Sequence, residues 1–146
     1  MTYLKKVMVL FWTIWWIIAL ITDLVSVFAF FNYLPPTFTH SSSYNDVIST
    51  IELYHLPSCL APILFFAIQL WLIIICIFFI HASLNLRKAK TIWVSHAEKA
   101  FIISLCLWLT FFLADQIFLK FSLEENHMAQ ATFQFISYLF LLSYKN

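Results

Sequence analysis

The chain has 146 residues, 63% of them hydrophobic and only 10% charged, with a mean hydropathy of +0.90 and a formal net charge of +1. Soluble domains carry charge on about a quarter of their residues, so this composition excludes an ordinary soluble domain and indicates a membrane protein. The near-neutral charge, with basic residues in short clusters instead of a stripe, excludes a nucleic-acid-binding surface.

The first stretch, MTYLKKVMVLFW, places two lysines before an apolar run, as a signal peptide does. That run continues well past the usual length of roughly 7 to 15 residues and meets no small-x-small cleavage site, so the expectation is a retained first helix. In all, four apolar segments are long enough to cross about 30 Å of hydrocarbon at about 1.5 Å per residue. They cover roughly 7–34, 60–86, 97–121 and 127–144. The expected fold is all-α, a four-helix transmembrane bundle forming a single integral membrane domain over residues 1–146. Pro35-Pro36 ends the first span, Pro57 and Pro62 flank the start of the second, and Ser95 to Glu98 reads as a capping box opening the third. Asn126 is the expected cap of the fourth. Between the first two spans, Val47, Ile51 and Tyr54 fall at helical spacing opposite Glu52, which predicts a short amphipathic helix on the membrane surface, an irregular loop being the alternative.

An even number of spans puts both termini on one side, and charge chooses the side. Lys5, Lys6, Arg87, Lys88, Lys90, Lys99 and Lys145 fall with the termini and only Lys120 lies opposite, so the positive-inside rule makes the termini cytoplasmic or matrix-facing. Glycine is absent, arginine occurs once and phenylalanine 17 times, a bias pointing to AT-rich coding sequence and hence to a bacterial inner membrane or a mitochondrial inner membrane. The three cysteines, Cys59, Cys76 and Cys106, form no paired motif and read as packing residues.

Five polar side chains share the outer half of the expected bundle. Asp23 lies 17 residues beyond Lys6 and Asp115 lies 16 beyond Lys99. Each is therefore about 25 Å from the inner boundary. Gln130 and Gln134 share one face of the fourth helix, and Gln69 descends from the same side on the second. A lone intramembrane carboxylate costs about 2.5 to 3.5 kcal/mol, so Asp115 is expected to be held by hydrogen bonds to these amides. The functional reading of the same layer makes Asp23 and Asp115 a proton or cation site. His81 and His96 approach the inner surface, and His55 and His127 the outer one. Either pair could ligate a metal or haem, solvated interfacial histidines being the simpler reading. H-E-x-x-H is absent, and glycine-rich phosphate loops and G-x-S-x-G elbows are impossible without glycine, so no catalytic residue is assigned. Trp12, Trp15 and Trp16 reach into the core, with Trp15 and Trp16 deeper than the interfacial belt, which points to a protein partner contacted through some of Phe11, Trp12, Trp15 and Trp16.

The order of motifs also carries a resemblance. Thr22-Asp23 followed by Phe28 and Phe30, then Lys99, Leu107-Trp108, Phe111, Asp115 with Phe118, and finally Phe133-Gln134-Phe135, resembles a bacterial family of predicted small four-helix integral membrane proteins of unknown function. In that family the late acid is typically a glutamate after glycines and the last motif carries an arginine. Here Leu113-Ala114-Asp115 and Gln134 stand in those places, so an acid-to-arginine pair is not implied for this chain. The resemblance implies a membrane fold and no particular activity.

The functional expectation is a non-catalytic accessory subunit of a larger membrane complex, with the respiratory chain as the candidate and no cofactor of its own. Two alternatives stand beside it. One is a small proton- or cation-conducting channel or transporter using Asp23 and Asp115, although the absence of glycine and of mid-span proline leaves no broken helix for a substrate. The other is a redox subunit handling quinone or haem through the histidines and Asp115.

Overall fold

The computed structural model describes residues 2–34 and 43–143. Pro35-Pro36, the polar loop as far as residue 42, and the last three residues with Lys145 lie outside them. The described chain is all-helical: α1 (Thr2–Phe30), α2 (Ser43–Leu53), α3 (Leu60–Leu84), α4 (Lys90–Ile117) and α5 (Phe121–Leu142). Tyr3–Phe30, Leu60–Leu84 and Lys90–Ile117 are long and apolar enough to cross a membrane. The amphipathic segment between the first two is helical, as α2.

Helix ends differ from expectation for identifiable reasons. Ser95 does not open α4; the helix starts at Lys90, after an Ala89 N-cap that makes no side-chain hydrogen bond. Nothing from Lys90 to Val94 breaks a helix, and Trp93 and Val94 are buried, so continuing the helix toward its N-terminus is rewarded by burial. Asn126 is likewise interior to α5, where its Oδ1 accepts from Gln130 Nε2 at 3.0 Å. The cap position belongs to Lys120. Pro62 fits the first turn of α3, where its missing N–H would have had no intrahelical partner.

Three helices end in the same way. Tyr33 N–H bonds Phe28 C=O (2.9 Å), Leu56 N–H bonds Ile51 C=O (3.0 Å) and Lys120 N–H bonds Asp115 C=O (2.9 Å), each reaching back five residues as in a Schellman motif. That motif puts one residue in the left-handed region. With no glycine in the chain, Asn32 (φ 60°), His55 (φ 51°) and Leu119 (φ 53°) take the position.

The chain divides into two compact units, Met1–Ile14 with Ile75–Asn146, and Trp15–Ile74. In the first, four helical segments pack together. Phe11 and Trp12 of α1 meet Phe133 of α5 with centroids 5.9 and 5.4 Å away, and Phe79 of α3 meets Phe101 of α4 at 5.3 Å. Ala97, Ala100 and Ser104 are fully buried along one face of α4. Small side chains at this spacing let helix backbones approach closely, the role glycine often has in membrane bundles. In the second unit, Tyr44 anchors α2, its ring edge-on to Phe30 of α1 (4.7 Å) and to Phe65 of α3 (5.1 Å). Ile51, seven residues on from Tyr44, is buried on the same face.

Candidate functional site

Asp115 stands in the last turn of α4 and His127 in the second turn of α5, within the first unit. A two-residue connection, Phe118 and Leu119 followed by the cap residue Lys120, reverses the chain between them. His127 Nδ1 lies 2.5 Å from Asp115 Oδ2, with the two side chains 22% and 9% exposed. The imidazole stacks on Phe111 (centroids 4.9 Å, planes 25° apart) and leans on Trp108 at 5.8 Å. These rings fix the imidazole plane and exclude water from one side, which strengthens any charge-assisted bond across the pair. Beside it, Gln116 Nε2 donates to Glu124 Oε1 at 2.5 Å. The pair joins the last turn of α4 to the second turn of α5, with the imidazole part-exposed.

One helical layer away, Gln134 ties three groups together. Its Oε1 accepts from Trp108 Nε1 at 2.5 Å and its Nε2 donates to Ser104 Oγ at 2.8 Å, while Ser104 Oγ donates to Phe101 C=O at 3.0 Å. Gln134 and Ser104 are fully buried. Toward the other end of this unit, Thr13 Oγ1 is 2.7 Å from Ser83 Oγ and donates to Val9 C=O. Lys5, expected at the membrane boundary, is 1% exposed: its Nζ donates to Ser143 Oγ at 3.0 Å and sits 4.6 Å from the Phe140 ring centroid.

Of the five residues expected to form one polar layer, Asp23 and Gln69 bond each other and the other three have different partners. Asp115 pairs with His127, not with the amides. Gln134 bonds Trp108 and Ser104, and Gln130 lies part-exposed against Asn126. In the second unit, Gln69 Nε2 donates to Asp23 Oδ2 at 3.2 Å, while the buried Gln69 Oε1 has no hydrogen-bond partner. Trp12 and Trp16 are buried in the chain's own interior, so of the residues expected to meet a partner only Phe11 is exposed and Trp15 half-buried. The correction follows from helical periodicity: Trp12 and Trp16 are four apart and share one face, and that face is turned inward. His81 and His96 do come together, edge to face with centroids 4.3 Å apart. Among the described residues no group of three or more His, Cys, Asp or Glu side chains is placed to hold a metal ion.

Sequence reasoning missed the Asp115–His127 pair because it treated His127 as the interfacial start of the fourth span. The available signal was the spacing. Twelve residues separate the two, and an antiparallel helical hairpin with a short turn brings such positions level. Comparison of the chain with models of known families, with curated proteins and with solved structures finds no match to any of them.

Proposed function

We propose that the chain is a four-span integral membrane protein with both ends on the cytoplasmic or matrix side, and that it serves as a non-catalytic accessory subunit of a larger membrane complex. As a fourth span, α5 has 22 residues. At about 1.5 Å each they match a hydrocarbon core of about 30 Å. The observation that carries the functional reading is the use made of the buried polar groups in the first unit. Thr13 with Ser83, Ser104 with Gln134 and Trp108, and Asp115 with His127 each join one helix to another. Polar groups spent on each other in this way hold helices together, whereas a conduction path needs them turned toward a passage.

The outward surface supports the same reading. Tyr3, Val7, Leu10, Ile14, Ile18 and Ile21 form an exposed apolar stripe along α1, with Phe11 beside it, and lipid or a protein neighbour must cover it. A respiratory-chain complex in a bacterial or mitochondrial inner membrane is the first assembly to test. The experiment is to tag the chain, solubilise it in mild detergent and run a native gel with mass spectrometry of the band. The expected result is a high-mass band containing stoichiometric partners; a band at monomer or small homo-oligomer mass overturns the proposal.

Beside it we set a second reading, in which the part-exposed Asp115–His127 pair passes protons. Vesicles reconstituted with the protein and loaded with a pH-reporting dye distinguish the two. A proton leak abolished by Asp115→Asn supports the second reading, and no leak above protein-free vesicles supports the first.

A further inference from the structure

The connection between α3 and α4 and the helix faces leading to it carry a group of side chains that none of the interhelical polar pairs uses. We propose that the α3–α4 seam seats the headgroup of an anionic phospholipid, a phosphate diester held by Lys88, Lys99, His81 and His96. The proposal rests on α3 and α4 crossing a membrane and is independent of any partner complex.

The two histidine rings lie at the centre of the seam, one from each helix, with centroids 4.3 Å apart. On α3, Ile77, His81 and Leu84 fall at helical spacing on one face and all three are exposed, and exposed Lys88 stands in the turn just beyond. On α4, Ile92, His96, Lys99 and Ile103 fall at i, i+4, i+7 and i+11, with Ile92 and Lys99 exposed and His96 and Ile103 half-buried. Lys99 stands three residues from His96 on the same face of α4, and Lys88 lies in the turn that joins the two helices. Arg87 is exposed in the same turn and Lys90 at the start of α4. Between residues 75 and 114 the one acid is Glu98. It lies two residues from His96, about 200° round the helix and so away from the seam.

Cations alone would accept any anion; the surrounding surface selects an amphiphile. Ile77, one turn along α3 from His81, is 58% exposed, and half-buried Ile103 follows Lys99 on the same face of α4, so both present hydrocarbon next to the charged seam. A bound lipid satisfies both surfaces at once, with its phosphate among the lysines and imidazoles and its acyl chains along the isoleucines. Basic pockets between membrane helices take anionic headgroups by this division of contacts. Lys99 is suited to it, because a lysine's long apolar stem can lie along a helix while its ammonium extends to the headgroup level.

The test is native mass spectrometry of the full chain released from mixed micelles holding equal amounts of phosphatidylglycerol and phosphatidylcholine. Near a membrane surface each lysine contributes roughly a five-fold preference for anionic lipid, so the double variant Lys88→Gln with Lys99→Gln should lower phosphatidylglycerol retention about 25-fold, leaving phosphatidylcholine unchanged. Lys120→Gln, in the α4–α5 turn, should have no effect on either lipid. Loss of the wild-type preference at high salt further supports the seat. Equal retention of the two lipids by the wild-type protein, or undiminished phosphatidylglycerol retention in the double variant, overturns it. So does complete displacement of the lipid by millimolar inorganic phosphate, which would show that the seam selects a free anion.

Discussion

Asp115 and His127, on successive helices and twelve residues apart, meet with Oδ2 and Nδ1 2.5 Å from each other across the α4–α5 turn. The contact closes a hairpin whose next polar rung is Trp108 to Gln134. Between the two rungs, Phe111 and Trp108 pack against the imidazole. The hairpin is thus held by side-chain pairs that each need a particular rotation of both helices.

Removing one member of the first rung should therefore cost more than replacing it with a group that still bonds. Asp115→Asn keeps an acceptor for the imidazole N–H and should change stability by less than about 1 kcal/mol, whereas His127→Leu leaves the buried acid without its partner and should cost about 1 to 3 kcal/mol. Reversible unfolding in mixed micelles measures both. A cycle of Asp115→Leu, His127→Leu and the double variant should return a coupling of about 0.6 to 1.7 kcal/mol. Zero coupling would make the contact incidental.

Gln134 should be the less replaceable of the two glutamines on α5. Gln134→Leu leaves the indole N–H of buried Trp108 without its acceptor, at a cost of about 1 to 2 kcal/mol, while Gln130→Leu, at a part-exposed position, should lie within about 0.5 kcal/mol of wild type. A Gln134→Leu protein as stable as wild type would show that the Trp108 rung contributes nothing.

Leu119 is a bulky residue held at φ 53° with a side chain 63% exposed, so replacing it relieves backbone strain and sacrifices little packing. Leu119→Gly should raise stability by about 0.4 to 1 kcal/mol. Asn32→Gly, at the same kind of helix end, should be close to neutral because asparagine tolerates this conformation. Equal effects at the two positions would argue against strain at Leu119.

Membrane topology is read by labelling single cysteines in a background lacking Cys59, Cys76 and Cys106. Asn45→Cys, exposed on α2, should react with an impermeant maleimide from outside, and Lys88→Cys, exposed in the α3–α4 turn, only from inside. Reaction of both from the same side would rule out the four-span arrangement, and the reverse pattern would invert its orientation.

The sequence by itself determined that the chain is helical and built for a membrane, and the reason is that hydropathy adds up residue by residue. A run such as Leu60 to Leu84 declares itself whatever surrounds it. Charge asymmetry is similarly additive, which is why the basic turn between α3 and α4 was legible as Arg87, Lys88 and Lys90. Partner choice is not additive. A shift of one residue turns a side chain by about 100° round its helix, so only the packed structure decides that Trp12 and Trp16 face inward, that Lys5 is buried against Phe140, and that Asp115 meets His127 while Gln134 bonds Trp108. The start of α4 was decided in the same way. Ser95 carries a capping signal, but burial of Trp93 and Val94 outweighs it and begins the helix at Lys90, because a cap contributes about 1 kcal/mol and the burial of two large apolar side chains contributes more.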